Sequence, residues 1–173
     1  MNLFLWGALP YIAFTFLIVG TLVRFFYFER NWTTKSSEFL EKKQLRIANP
    51  LFHFGLLCVI GGHVVGVLIP KTWTAAIGIN DHMYHQGALY MGAVAGIIFI
   101  VGFLLLMKRR FTVPAMKVNT SGLDKWLYLF LTLAIFSGMA GTLLNASGFF
   151  DYRVSIGPWF RSLISFMPDP SLT

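Results

Sequence analysis

Leu51-Phe-His53-Phe-Gly-Leu-Leu-Cys58-Val-Ile-Gly-Gly-His63-Val-Val-Gly66 is an apolar run that holds two histidines and no formal charge. The uncharged stretch continues from Ile47 to Pro70, long enough for a helix to cross a hydrocarbon core of about 30 Å. An imidazole at that depth is costly unless something binds it, so it marks a functional position. Ten residues of helix rise about 15 Å, which sets His53 and His63 at two depths. Histidines at two depths are the pattern expected of axial ligands to two b-type haems, one toward each face of the bilayer.

Three more uncharged stretches have spanning length: Met1 to Val23, His82 to Met107 and Trp126 to Phe150. With 56% hydrophobic and 12% charged residues, the chain departs from soluble domains, in which about a quarter of residues are charged. The fold class is therefore an all-α membrane protein with four transmembrane helices, over about residues 3–24, 51–69, 84–107 and 126–144. The first stretch lacks the basic start and short apolar core of a signal peptide, so it reads as a retained helix. Pro10 is a candidate kink, and the second helix is expected to start after Pro50 and stop at Pro70. Residues 151–173 mix apolar pieces with Asp151, Arg153, Arg161 and Asp169, and read as an external, membrane-lying segment.

The net charge of +7 is explained by topology, not by nucleic acid. Eleven of the fourteen basic residues (Arg24, Arg30, Lys35, Lys42, Lys43, Arg46, Lys108, Arg109, Arg110, Lys117, Lys125) fall in two loops on one side. Lys71, Arg153 and Arg161 fall on the other. That asymmetry places the N-terminus outside and both basic loops in the cytoplasm of a multi-pass protein in a bacterial cell membrane. All five tryptophans lie near the ends of spans, as an interfacial belt requires. In the first loop, Ser36 or Ser37 can cap a short helix, and Glu38 can pair with Lys42.

The single cysteine, Cys58, excludes an internal disulfide and an iron–sulfur cluster held by this chain alone. It reads as a packing residue. Gly55, Gly61, Gly62 and Gly66, with Gly92, Gly96, Gly138 and Gly141 on the later spans, allow close approach of either a flat macrocycle or another helix. Bis-histidine ligation needs a second imidazole at each depth, and only His82 and His85 remain. Neither reaches the level of His53, so the other ligands come from another segment or the chain is incomplete. His82 and His85 themselves suit proton acceptance from a quinol, or are ordinary wetted interfacial histidines. Lys108-Arg109-Arg110 anchors the third span, and Arg110 is the preferred partner for haem propionates. The basic loops fit either a cytoplasmic partner or anionic lipid.

Leu51-Phe-His53-Phe-Gly-Leu-Leu through Gly62-His63-Val-Val-Gly66 resembles the cytochrome b (gamma) subunit of respiratory nitrate reductase. So do Trp32-Thr-Thr-Lys-Ser-Ser-Glu38, Lys108-Arg-Arg110 and Phe150-Asp-Tyr-Arg-Val-Ser-Ile-Gly-Pro-Trp-Phe-Arg161. The resemblance covers essentially the whole chain and is closest to the menaquinol-using, Gram-positive type. It implies a five-helix bundle with two b haems, His53 on the proximal iron and His63 on the distal iron. It also implies menaquinol oxidation at the outer face and electron transfer inward to an iron–sulfur beta subunit and a molybdenum alpha subunit. In such proteins the last helix carries the other two ligands. This chain stops at Thr173, before that helix, so a C-terminally truncated form with partial or no haem is expected. The lysine that resemblance places in the quinol site has no counterpart in Met83-Tyr84-His85-Gln86. Two other functions compete: a haem-free membrane anchor, and the cytochrome b subunit of another quinol-linked oxidoreductase of the formate dehydrogenase or hydrogenase type.

Overall fold

Once in lipid, the polar backbone of an apolar segment must satisfy its own hydrogen bonds, and a helix does so locally. The computed structural model describes residues 3–27, 40–149 and 151–169, and among them there are helices and no strand. Four helices are long and apolar enough to cross a membrane: α1 (Phe4–Tyr27), α2 (Lys43–Leu68), α4 (Asp81–Thr112) and α6 (Gly122–Ala146). Short α3 (Lys71–Ala76), α5 (Pro114–Val118) and α7 (Ile156–Ile164) stand between or after them. The expected cap at Ser36 or Ser37, the Glu38–Lys42 pair, the Trp32–Glu38 motif and Phe150 lie outside the described residues.

The chain divides into two compact units, Met1–Ser36 with Arg153–Thr173, and Ser37–Tyr152. In the first, α7 is tied to the start of α1. Pro10 has no N–H to offer the Trp6 carbonyl four residues back. The indole Nε1 of Trp159 donates to that carbonyl at 2.8 Å, and the two indoles meet edge to face at 5.4 Å. The Tyr11 hydroxyl donates to the Leu163 carbonyl at the end of α7, at 2.7 Å. Around Pro10 the expected irregularity takes the form of a π-helical segment over Phe4–Ala8.

In the second unit, α2 and α4 pack antiparallel through glycine. A methyl group on Gly55 would sit 2.5 Å from the Phe99 backbone nitrogen, and one on Gly102 would meet the Phe52 backbone. Backbones approach that closely only where a side chain is missing. The rings of Phe52 and Phe99 fill the space beside these contacts, 5.2 Å apart. Helix α6 joins α4 through Tyr128, whose ring lies 6.2 Å from Phe103 and 5.7 Å from Phe111. A Ser121–Asp124 capping box starts α6. At its end, Gly148 (φ +73) lets Phe149 N–H reach the Leu144 carbonyl and close a Schellman turn.

One boundary differs from expectation. Helix α2 begins at Lys43, and Pro50 lies inside it. The Glu41 carboxylate accepts the Gln44 N–H at 2.8 Å, so the helix gains a start well before the proline. Pro50 then costs a single backbone bond, to Arg46, a loss that membrane helices tolerate. His53 consequently lies about three turns inside α2 instead of in its first turn.

Where α2 ends, Lys71 donates to Asp151 at 2.9 Å and lies 3.3 Å from Asp81, linking the starts of α3 and α4 to the segment after α6. The hydrogen bond to Asp151, with some help from Asp81, holds the Lys71 ammonium above the ordinary lysine range. A raised folded-state pKa means that this contribution is fully present below the unfolded value of about 10.4 and fades as the pH climbs through the folded one. Lys71→Met is therefore expected to lower thermal stability by a constant amount, on the order of 1 kcal/mol or less, from neutral pH to about 10. Above that the difference should close. Melting curves of both proteins in detergent would test this, and a gap that widens at alkaline pH contradicts it.

Candidate functional site

The α2 histidines are oriented by the helix that carries them. His53 Nδ1 lies 2.9 Å from the Asn49 carbonyl, and His63 Nδ1 lies 2.7 Å from the Val59 carbonyl. A carbonyl only accepts, so each Nδ1 carries the proton and each Nε2 keeps its lone pair. Both side chains are exposed, away from the α2–α4 seam. A hydrogen bond from one ring nitrogen to a carbonyl is the usual way a metal-binding histidine is held in its ligating tautomer. The donor set therefore fits haem iron at both positions. At 100° per residue, the two imidazoles point about 80° apart around α2, so each serves its own site.

Glycines next to them sort into two kinds. A Cβ at Gly61, Gly62, Gly92, Gly138 or Gly141 would meet nothing within 4 Å. Gly55 and Gly102 are helix contacts, and a Cβ on Gly66 would come within 3.0 Å of the Tyr152 ring. Of the open glycines, Gly61 and Gly62 directly precede His63 and leave space on its helix; Gly55, Gly66 and Gly102 belong to packing. Cys58, expected to be packed, is exposed on α2 between the two histidines. The α2–α4 seam is filled instead by Gly55, Gly102, Phe52 and Phe99.

The paired contacts Gly55–Phe99 and Phe52–Gly102 define the register of α2 against α4. In that register His63 is level with Met91 and His53 with Val101. His85 falls level with Ile69, about 9 Å beyond His63 along the helix pair. His82 is exposed in the first turn of α4 and His85 is half-buried one turn later. The Asn80 side chain caps this helix by accepting the Met83 N–H at 2.8 Å. Thus the structure does not bring the α4 histidines to the depth of either α2 histidine. Among the described residues, no group of three or more His, Cys, Asp or Glu side chains gathers at one point.

At the opposite end, consecutive arginines serve different partners. Arg109 is 3% exposed; its Nε donates to Glu41 Oε2 at 2.8 Å and its guanidinium also reaches the Glu41 carbonyl at 2.7 Å. The Gln44 N–H, followed by the Arg109 guanidinium, holds the Glu41 carboxyl below the ordinary glutamate range. Arg110, the arginine preferred from the sequence for a propionate, pairs with Asp124 of α6. Its Nε is buried with no acceptor. Neither carboxylate partner was legible in the sequence. An acidic residue just before a helix start and one inside a capping box are the signals that would have pointed to them.

Residues 2–173 match the family described as nitrate reductase gamma subunit. The chain belongs to that family. It is 46% identical over 169 residues to the nitrate reductase gamma chain of Bacillus subtilis, covering 97% of this chain and 76% of that one. It is 31% identical over 143 residues to the respiratory nitrate reductase 1 gamma chain of Escherichia coli, covering 83% of this chain and 62% of that one. The nitrate reductase-like protein NarX of Mycobacterium tuberculosis is 40% identical over 166 residues, 94% of this chain but 26% of its own length. The two histidines, the glycine seam and the arginine pair are thus features of a gamma subunit family member, and all of them sit on α2 and α4.

Proposed function

We propose that this gamma subunit family member is the membrane cytochrome b subunit of a quinol:nitrate oxidoreductase in a bacterial cell membrane. One observation carries the reading: two imidazoles at different depths on α2, each with Nδ1 engaged and Nε2 turned out. His63 would hold the distal haem and His53 the proximal one. Haem b at these positions supplies one-electron transfer between the two faces of the membrane. The basic asymmetry supports an external N-terminus and cytoplasmic loops that face an iron–sulfur beta subunit, with nitrate reduced in a molybdenum alpha subunit.

Oxidation of menaquinol releases two protons with its two electrons. His82 and His85, at the end of the bundle nearer His63, are the groups in this chain suited to take up those protons. The i−4 carbonyls of Asn49 and Val59 fix the imidazole tautomers, and the open Gly61 and Gly62 leave space on the helix of His63. Arg110, held by Asp124 but with its Nε lacking an acceptor, is the residue proposed to face a propionate. Membership of the nitrate reductase family favours this reading over a formate dehydrogenase or hydrogenase type.

Membranes containing the assembled complex test the proposal. With the two further ligands supplied by the last helix that the resemblance implies, addition of a reduced menaquinol analogue should give two reduced b-type bands, and nitrate should reoxidise both; the 173 residues by themselves should hold haem weakly or not at all. Bands that never form, or that stay reduced after nitrate is added, would end this reading.

A further inference from the structure

Two instructions compete for the start of α2. Asn49-Pro50 is a ready N-cap and first-turn pair, because asparagine caps well and a first turn has no use for the N–H that proline lacks. Proline also disfavours a helical residue before it, and it leaves the Arg46 carbonyl without its usual donor. Local chemistry therefore asks the helix to begin at Pro50. It begins at Lys43 instead and passes through the proline.

One glutamate holds the added stretch. Glu41 Oε1 accepts the Gln44 N–H at 2.8 Å, and Glu41 Oε2 accepts from Arg109 Nε at 2.8 Å. Arg109 donates as well to the Glu41 carbonyl and is itself buried. The cap of α2 is thus docked on α4, and Ala48 within the stretch is fully buried. Asn49, the last residue before the proline, supplies the carbonyl that engages His53 Nδ1 at 2.9 Å. With the long start, that carbonyl belongs to a helix interior. With a start at Pro50, His53 would fall in the first turn, beside unanswered N–H groups and the positive end of the helix dipole.

We infer that Glu41 and Arg109 are positioning residues for His53: by docking the start of α2 on α4 they carry the helix through Pro50 and keep the imidazole, with the Asn49 carbonyl that orients it, away from a helix end. The inference rests on the proposed function for the haem at His53 and adds what sets the electronic environment of that iron. A retreat of the helix start to Pro50 has two consequences of the same sign. A looser Nδ1–H bond makes the imidazole a weaker electron donor, and a nearby positive helix end opposes the ferric charge. Each favours the reduced iron.

Glu41→Ala and the double variant Glu41→Ala with Pro50→Ala test this. In the chain itself, in detergent, Glu41→Ala should speed amide hydrogen exchange across Lys43–Asn49 by about tenfold or more, and the double variant should recover most of the protection. The second measurement is a redox titration of membranes bearing the assembled complex with both haems. There the proximal band of Glu41→Ala should move to a more positive potential, its reduced-to-oxidised ratio at a fixed potential rising roughly two- to fivefold, with the distal band unmoved. The double variant should return the native ratio, because alanine at position 50 gives the Arg46 carbonyl its donor back and removes the competing start. A shift that persists in the double variant reports the lost carboxylate charge alone and overturns the inference, as does an unmoved proximal band. A native complex in which His53→Ala removes no band sinks the proposed function itself, a result distinct from a proximal band that stays put. Should Glu41→Ala not insert, Glu41→Gln, which keeps an acceptor for the Gln44 N–H but no charge for Arg109, is read in its place by the same two measurements.

Discussion

In a form that also carries the two further ligands the resemblance places on a last helix, His63→Ala is expected to remove one of the two reduced b-type bands and to lower quinol-driven nitrate reduction at least a hundredfold. The basis is the geometry of one ring. Its Nδ1 proton is spent on the Val59 carbonyl at 2.7 Å, so Nε2 is the lone pair available to iron. Loss of a supporting hydrogen bond typically costs a metal site about 10–100-fold, and loss of the ligand itself should exceed that. His53→Ala should remove the other band and leave quinol able to reduce the remaining one, because His53 lies toward the opposite face. Cys58→Ala is the control. Its side chain is exposed on the same helix between the two histidines, and it should leave both bands intact. Difference spectra of dithionite-reduced and quinol-reduced membranes distinguish these outcomes. Two full bands in the His63 variant would refute the ligand assignment.

Gly102→Ala is expected to be the most damaging small substitution in the chain. A methyl there meets the Phe52 backbone, which has no rotamer to change. Overpacking a tight core typically costs about 1–3 kcal/mol, and the upper part of that range applies where the obstacle is backbone. Gly55→Ala meets the same difficulty at Phe99 and should behave similarly. At Gly20 a Cβ finds nothing within 4 Å, so Gly20→Ala should be harmless, or slightly stabilising through helix propensity. Steady-state amount in the membrane and melting temperature in detergent measure the contrast. Equal stability of the Gly102 and Gly20 variants would mean that α2 and α4 do not pack through this seam.

The four spanning helices were readable because their cause is local. Each follows from an uncharged run long enough to cross lipid, and inside lipid the backbone has no other way to satisfy itself. The start of α2 was misplaced for an equally physical reason. Pro50 reads as a helix start in isolation, but the Glu41 carboxylate supplies an earlier one by accepting the Gln44 N–H. The histidines stood out because an ionisable ring is conspicuous in an apolar run. Their tautomer did not, since it depends on where the carbonyls four residues earlier point. Glycines were visible as a class, yet nothing in their spacing separated Gly55 and Gly102, which touch a neighbour's backbone, from Gly61 and Gly62, which do not.

Composition and patterning alone therefore determined an all-helical membrane protein with four spans, and singled out His53 and His63 as its chemically unusual residues. The tertiary structure alone decided the α2–α4 register, the commitment of Arg109 to Glu41 and of Arg110 to Asp124, and the placement of His85 beyond the level of His63. The dividing line is range. A helix is the answer of a short segment to its solvent, whereas register and ion pairing join groups as far apart as Glu41 and Arg109, separated by 68 positions, and exist only once the helices have met.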